Sequence, residues 1–271
     1  MSGRLGASLL VIAKLPVPSR VKTRLCPPCT PDEAAALAEA SLRDTLAVAV
    51  SACRHRPDLF DGVVTCMDRA GLALPSWISE AGPSFDQCDG DLGARLAHAF
   101  ETVGGSAFLV GMDTPQLTEA LLIDAVESLA SAGSVFGPAT DGGFWSIGFC
   151  RPQPGVFDGV PMSTARTGDE QLLSMRRFGL KPAILPVLTD FDEFDEAVKL
   201  GLAIPGSGFS SAVAAVSARI AEAAEAAQAA QTAPTGDDLR PTSAPTAPTA
   251  RTTATTESPC RQPQPEGTCH V

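Results

Sequence analysis

The stretch SLLVIAK, residues 8–14, is a continuous apolar run that ends at a lysine. This pattern is typical of a strand that is buried on both faces of a parallel sheet. The run is much shorter than the roughly 20 apolar residues that cross a bilayer, and no signal-peptide cleavage site follows it. It therefore predicts a buried first strand in a cytoplasmic protein without membrane insertion.

Helices and strands alternate along the chain that follows this run. Thr30, Pro31 and Glu33 supply an N-cap, a proline at the first helical position and a capping-box glutamate. The pattern predicts helices at residues 31–51, 91–103, 118–132, 169–178 and 193–202. It predicts further strands at residues 60–67, 107–112, 134–138, 144–149 and 183–188, and a loop at residues 84–90. The alternation indicates an α/β fold with a mostly parallel sheet flanked by helices, and such sheets bind ligands beyond the carboxyl ends of their strands.

The composition divides the chain into three parts. Residues 1–204 carry the alternating pattern and predict one folded domain. After Pro205 the chain becomes rich in alanine, which predicts a helical extension over residues 205–231. Residues 232–271 are dominated by Thr, Pro, Ala and Ser, a composition that predicts a disordered tail.

The charge of the chain limits its partners. The 271 residues carry a formal net charge of −11, so a main role in coating nucleic acid or an anionic membrane is not expected. A small-molecule partner fits better. Eight cysteines are scattered along the chain, which does not resemble the dense disulfide framework of a small secreted domain. Cys26 and Cys29 have redox or half-zinc spacing, but no second such pair exists, and a rigid loop is the favoured interpretation.

A basic loop follows the first strand, in a segment of 31 residues that contains no Asp or Glu. Its cations are Lys14, Arg20, Lys22 and Arg24. Several cations on one loop can form charge-assisted hydrogen bonds with a diphosphate or triphosphate. The chain has no GxxxxGK[ST] and no GxGxxG motif, which disfavours P-loop and dinucleotide sites. We therefore predict that this loop binds the phosphates of a nucleotide, with a solvated basic turn as the alternative.

Two acidic residues follow predicted strands and are candidate metal ligands. Asp113 ends the strand at residues 107–112, and Asp192 follows the last strand. Carboxylate oxygens at a sheet edge suit Mg²⁺ or Mn²⁺ that also contacts phosphate oxygens. The alternatives are a turn cap before Pro115 for the first residue and a helix cap for the second.

Two glycine-containing segments are candidate ligand contacts. The segment DGGFW contains Asp141, Gly142, Gly143, Phe144 and Trp145, and it combines a carboxylate, close backbone approach and aromatic faces. A tight hairpin turn is the alternative. The segment QCDGDLG contains Gln87, Gly90, Asp91 and Gly93, which can present N–H groups at a helix start to a nucleotide. A simple capped helix explains that segment equally well.

Five stretches in a fixed order resemble a known family. They are AKLPVPSRVKTRL, QCDGDLGARLAHAF, LVGMDTPQL, GPATDGGFWSIGF and TDFDEFDEAVKL. Together they resemble the DUF2064 family of bacterial proteins, which are assigned as glycosyltransferases. The chain is also similar to 2-phospholactate guanylyltransferase and to the molybdenum-cofactor guanylyltransferase group. The resemblance spans about residues 8–203.

The resemblance implies a GT-A fold, also called the nucleotide-diphospho-sugar transferase fold. It implies that the first loop holds the nucleotide, that Asp113 and Asp192 hold the metal, and that the DGGFW segment faces the acceptor together with Ser163 and Thr164. Three residues depart from the family pattern: Ser19 replaces Gly, Met162 replaces Trp and Glu193 replaces Thr.

Three functions follow as hypotheses. The leading one is metal-dependent transfer of a sugar from a nucleotide-sugar to a small-molecule acceptor, with Lys22, Asp113 and Asp141 as catalytic residues. The second is a guanylyltransferase-like nucleotidyl transfer, in which a phosphorylated small molecule attacks an NTP and pyrophosphate leaves. The third is a non-catalytic nucleotide-binding protein, which has no need of three carboxylates at strand ends. No Ser-His-Asp arrangement can be argued from the three histidines.

Overall fold

The computed structural model describes residues 6–232. The chain divides into two units, Met1–Gln228 and Ala229–Val271, and the α/β fold belongs to the first. Residues 233–271 of the predicted tail lie outside the described residues. Within the described part, no helix is both long and apolar enough to cross a bilayer.

A seven-stranded sheet forms the centre of the first unit, in the order β3-β2-β1-β4-β6-β5-β7. Every neighbouring pair is parallel except the two pairs that involve β6. The first strand is an interior strand, and its residues Leu9, Leu10 and Val11 are fully buried, as its apolar run predicts. The strands are β1 (Ala7–Lys14), β2 (Phe60–Asp68), β3 (Ser84–Asp86), β4 (Ala107–Val110), β5 (Ser134–Pro138), β6 (Phe144–Phe149) and β7 (Ala183–Ile184).

Seven α-helices accompany the sheet in the described residues, and the predicted start of the first is confirmed. The Thr30 hydroxyl accepts from the Glu33 N–H at 3.2 Å, and the Glu33 carboxylate accepts from the Thr30 N–H at 2.7 Å. A 3-10 turn, Thr23–Leu25, precedes this helix. The helices are α1 (Pro31–His55), α2 (Ser76–Ser79), α3 (Leu92–Val103), α4 (Glu119–Ala132), α5 (Thr167–Arg177), α6 (Phe194–Ala203) and α7 (Gly208–Thr232).

Two predicted segments differ from the structure. The expected loop at residues 84–90 begins with β3, which is too short for a periodic pattern to reveal and which forms because it pairs with β2. The predicted strand at residues 183–188 is reduced to β7 and one isolated bridge between Ala139 and Leu188. Pro186 lies in the interrupted part, and a proline has no N–H to donate to a strand ladder.

The sheet directs its strand ends to one edge. Because all strands except β6 run in the same direction, Lys14, Asp68 and Asp86 end β1, β2 and β3 at the same edge of the sheet. The turn between β5 and β6 lies at that edge too, and Asp113 follows β4 there. We refer to this side as the carboxyl edge.

Within the first unit, the beginning of helix α7 packs on the segment before α6 through a buried aromatic pair. Phe209 is fully buried, and its ring centroid lies 4.6 Å from that of Phe191, which precedes α6. Arg219 of α7 binds both carboxylate oxygens of Glu33 at 2.7 and 2.8 Å and donates to the Pro28 carbonyl at 3.0 Å. The beginning of the alanine-rich extension therefore contributes to the core, and the predicted domain boundary at residue 204 stays a prediction.

We predict that Phe209→Ala lowers the free energy of unfolding by about 3–5 kcal/mol, because it removes a fully buried ring and leaves a cavity against Phe191. The matched control is Phe178→Ala, which truncates a ring that is 46% exposed and should cost less than about 1 kcal/mol. Urea denaturation followed by circular dichroism measures both. Equal losses in the two variants would contradict the packing described for α7.

Candidate active site

Lys22 is the centre of a charged cluster at the carboxyl edge. Its ammonium lies 2.8 Å from Asp113 Oδ1 and 3.0 Å from Asp192 Oδ1. The same nitrogen donates to the Phe191 carbonyl at 2.7 Å and lies 4.2 Å from the centroid of the Phe191 ring. The Lys22 side chain is only 8% exposed. The structure thus brings together three predicted site residues that are far apart in sequence.

The environment of Lys22 keeps it charged. Burial alone lowers the pKa of a lysine, but the charges of Asp113 and Asp192 and their hydrogen bonds outweigh burial, so the pKa of Lys22 is raised. The two carboxylates are themselves 44% and 41% exposed. A ligand from solvent can therefore reach the carboxylates while the lysine is enclosed.

Arg24 adds a second cation to this cluster. Its Nη1 lies 2.9 Å from Asp192 Oδ2, so Asp192 binds two cations from the same loop. The Arg24 side chain is 73% exposed, and such an exposed pair contributes little to stability. Arg24 is therefore available to a ligand at small cost.

The segment at residues 185–192 places Asp192 at the cluster by running along the carboxyl edge. The segment follows β7, the outermost strand on one side of the sheet. The Leu188 N–H donates to the Pro138 carbonyl at 3.2 Å, and the Phe191 N–H donates to the Asp113 carbonyl at 3.3 Å. The Glu196 carboxylate accepts from the N–H groups of Asp192 and Glu193 at 2.9 and 3.0 Å. Glu196 thereby fixes the backbone at the position where Glu193 departs from the family pattern.

Asp190 is a site carboxylate that was not among the predicted metal ligands. Burial raises its pKa to about 6, with further contributions from the charges of Asp141 and Asp192. Asp190 belongs to the same segment as Asp192, which crosses the carboxyl edge. The position of Asp190 directly after the last strand was the available signal. Within residues 6–232, no three His, Cys, Asp or Glu side chains are arranged to hold a metal ion by themselves.

The turn that follows β5 packs against the loop before α5. A Cβ added at Gly142 would lie 2.1 Å from the Ala165 carbonyl oxygen, and Gly168 donates to the Gly142 carbonyl at 2.8 Å. The Asp141 carboxylate accepts from the Gly143 N–H at 2.7 Å and is exposed. Two segments predicted to face the acceptor are therefore adjacent.

The remaining residues predicted to face the acceptor differ in exposure. Ser163 and Thr164 are exposed, and Phe144 is partly buried against Phe136. Trp145 is only 4% exposed and donates to the Pro186 carbonyl at 2.9 Å. A contact between Trp145 and an acceptor stays a prediction, and the burial of the Trp145 side chain does not favour it.

A cavity of about 550 Å³ opens at the ends of β2 and β3, beside the basic loop. Arg20 donates to the Ala70 carbonyl on its rim at 3.4 Å. Gln87 lines the cavity, but its amide donates to the carbonyls of Ala13 and Cys66 at 2.9 and 3.2 Å. The Gln87 amide therefore ties β1 to β2, and its Oε1 accepts from Arg95 at 3.3 Å.

The start of α3 lies between the cavity and the loop before α5. Asp91 caps the helix by accepting from the Ala94 N–H at 2.9 Å, and Gly90 has a φ of +119°. A Cβ at Gly93 would lie 3.3 Å from the Met162 methyl carbon. Met162, which departs from the family pattern, thus contacts the segment predicted to bind the nucleotide.

The backbone of the basic loop is informative about one departure from the family pattern, and the two cysteines after the loop are free thiols. Ser19 has a φ of +64°, a left-handed conformation that glycine adopts most readily. The family's usual glycine at this position is therefore explained by local geometry. The Cys26 and Cys29 thiols are free, and burial raises the pKa of Cys29 to about 11.

The fold and the carboxyl edge define the class of this chain: it has the nucleotide-diphospho-sugar transferase fold. A crystal structure from Desulfovibrio desulfuricans G20, provisionally described as a nucleotide-diphospho-sugar transferase, matches with a TM-score of 0.69 and 26% identity. The match covers 80% of this chain and 98% of that one. The family model of DUF2064, described as an uncharacterized protein conserved in bacteria, matches residues 46–164. The predicted resemblance, fold and transferase class are confirmed.

Other comparisons are more distant. The 2-C-methyl-D-erythritol 4-phosphate cytidylyltransferase from Thermus thermophilus has a TM-score of 0.43 at 13% identity, covering 78% of this chain and 98% of that chain. Rv0371C from Mycobacterium tuberculosis H37Rv, in complex with manganese, has a TM-score of 0.38 at 18% identity, covering 73% and 100%. With TM-scores below 0.5, these two likenesses support no statement about this chain. No protein of curated function matches the sequence.

We predict that Gly142→Ala destabilises the protein by more than Gly159→Ala does. Both glycines have a positive φ, +87° and +71°, so both substitutions incur about 1–2 kcal/mol of backbone strain. Only at Gly142 would the new methyl group meet a backbone oxygen, since nothing lies within 4 Å of a Cβ at Gly159. Urea denaturation measures the difference, and equal losses would contradict the contact between the turn and the loop before α5.

Proposed function

We propose that this protein is a metal-dependent glycosyltransferase that moves a sugar from a nucleotide-sugar to a small-molecule acceptor. The observation that carries the proposal is the cluster of Lys22, Asp113 and Asp192 at the carboxyl edge. It combines a buried cation for phosphate with two solvent-accessible carboxylates for a metal. The likeness to the D. desulfuricans protein supports the same class of donor.

The donor fits the side of the edge formed by β1, β2 and β3. Lys14, Arg20, Lys22 and Arg24 would bind its diphosphate, since Lys14 ends β1 and the other three belong to the loop that follows it. The nucleoside would occupy the cavity of about 550 Å³ next to this loop, a volume within the ordinary range of ligand sites. Gly90, Asp91 and Gly93, at the start of α3, would then lie near the nucleoside.

Asp113 and Asp192 fit a divalent metal as a pair. Mg²⁺ is commonly bound by one or two carboxylates, several waters and the phosphates of the substrate, so two protein ligands are sufficient. Both carboxylates are exposed enough for a hydrated metal ion to reach them from solvent. When bound, Mg²⁺ or Mn²⁺ would supply positive charge that stabilises the departing nucleoside diphosphate.

The acceptor fits the side of the edge formed by β5, β6 and the loop before α5. Asp141 is exposed there, next to the loop that carries Ser163 and Thr164. A hydroxyl of the acceptor could donate to Asp141, which would take the proton as the sugar is transferred. Ser163 and Thr164 would orient the acceptor through hydrogen bonds.

Nucleotidyl transfer is the second candidate, and the density of cations favours it. Four cations within eleven residues suit a triphosphate with its greater negative charge. The two reactions differ in their leaving group, because glycosyl transfer releases a nucleoside diphosphate and nucleotidyl transfer releases pyrophosphate. The products therefore separate the two functions.

We expect the protein, incubated with Mg²⁺ or Mn²⁺ and a panel of nucleotide-sugars and acceptors, to release a nucleoside diphosphate in a metal-dependent way. A parallel panel pairs each NTP with phosphorylated acceptors, and its readout is pyrophosphate. Chromatography of the nucleotides and an enzymatic pyrophosphate assay measure the two products. Release of pyrophosphate without nucleoside diphosphate would exclude the glycosyltransferase in favour of the second candidate.

We predict that Asp113→Asn lowers metal-dependent turnover by about two orders of magnitude or more, because it removes a charged metal ligand while keeping the side-chain shape. The matched control is Asp124→Asn, which makes the same change at an exposed residue on α4. Turnover of Asp113→Asn equal to that of the control, with both variants folded by circular dichroism, would remove Asp113 from the mechanism.

A further inference from the structure

Lys22 occupies the place between the two carboxylates that a metal ion would need. Its nitrogen lies 2.8 Å from Asp113 Oδ1 and 3.0 Å from Asp192 Oδ1. A Mg²⁺ ion bound to the same two oxygens would lie about 2.1 Å from each. An ammonium and a metal ion cannot both fill this space, and their charges would repel each other at such a short distance.

The contacts of Lys22 hold it firmly in this place. Besides the two carboxylates, the ammonium has the Phe191 carbonyl at 2.7 Å and the face of the Phe191 ring at 4.2 Å. An ammonium has three N–H donors, and three oxygens satisfy them here. Arg24 differs, because it makes one ion pair and is 73% exposed. Of these two cations, Lys22 is buried and Arg24 is exposed.

The Phe191 ring, whose face contacts the Lys22 ammonium, also packs on a second aromatic ring. Phe191 is fully buried and packs on Phe209 of α7, with ring centroids 4.6 Å apart. The Phe191 N–H is bonded to the Asp113 carbonyl. The pocket for the ammonium is therefore built from buried parts of the fold.

We propose that in the protein without ligand the Lys22 ammonium neutralises Asp113 and Asp192 and thereby excludes a divalent metal. When a nucleoside diphosphate binds, the ammonium moves from the two carboxylates to the phosphates, and the metal can then bind. This inference rests on the proposed function of the site, in which the phosphates bind the loop and the metal binds the carboxylates. A phosphate offers Lys22 a new anionic partner, and the two carboxylates then need a cation. Nucleotide and metal therefore strengthen each other's binding, by the same factor in each direction.

The direct consequence concerns a variant without the ammonium. Lys22→Met keeps a long apolar stem on Phe191 but leaves the two carboxylates without their shared cation. Their mutual repulsion, and the loss of a positive charge at the site, should raise the affinity for Mn²⁺ alone by at least about tenfold. Lys22→Arg retains the charge and should bind Mn²⁺ as weakly as the wild type.

The test titrates the full-length protein with Mn²⁺ in the absence of any nucleotide and measures free Mn²⁺ by electron paramagnetic resonance. Lys181→Met is the control, since it removes the same charge from an exposed residue that lies after α5. We expect tighter binding for Lys22→Met and no change for Lys181→Met. Mn²⁺ binding by Lys22→Met that is equal to or weaker than that of the wild type would overturn the proposal.

A second comparison applies even if Lys22→Met does not fold. We expect the same weak Mn²⁺ binding for the wild type and for Asp113→Asn, because Lys22 already excludes the metal from this pair. Clearly tighter binding by the wild type would overturn the proposal. The proposed function fails separately: if Lys22→Met gains Mn²⁺ affinity while no nucleotide-sugar is turned over by the wild type, the exclusion of metal by Lys22 stands and the glycosyltransferase does not.

Discussion

The ion pairs that Lys22 forms with Asp113 and Asp192 connect three distant parts of the chain. The lysine comes from the loop after β1, the first aspartate from the end of β4, and the second from the segment that returns from β7. Strands β1 and β4 are neighbours in the sheet, whereas β7 lies three strands beyond β4. The contact therefore requires residues 185–192 to cross the carboxyl edge, and the bonds from Leu188 to Pro138 and from Phe191 to Asp113 hold them there.

Helix α7 contacts the parts of the chain that surround this cluster. Phe209 supports the ring whose face contacts the ammonium, and Arg219 binds Glu33 at the start of α1 and the Pro28 carbonyl in the loop between the cations and that helix. The packing of α7, which lies behind the Phe191 ring, thus helps to determine the position of the Lys22 ammonium. Such positioning matters for the proposed transferase, because electrostatic stabilisation requires charges that are in place before the reaction begins.

The features that were predictable from the sequence are local ones. The apolar run of β1, the basic loop and the strand-ending Asp113 each have a signal within a few residues. The environment of Asp190 and the burial of Trp145 do not, since both depend on which strands become neighbours and on the return of the chain after β7. The hydrogen bonds of the Gln87 amide to the carbonyls of Ala13 and Cys66 also depend on which strands become neighbours. The role of Phe209 likewise follows only from tertiary packing.

The most direct measurement is the anomalous scattering of manganese in a crystal of the protein grown with Mn²⁺ and a nucleoside diphosphate, for which uridine and guanosine diphosphate are suitable probes. We expect one manganese peak bonded to carboxylate oxygens of Asp113 and Asp192 and to a phosphate oxygen, with the Lys22 ammonium moved onto the phosphates. A nucleotide bound with Lys22 still between the two carboxylates, and manganese elsewhere or absent, would contradict the exchange of lysine for metal.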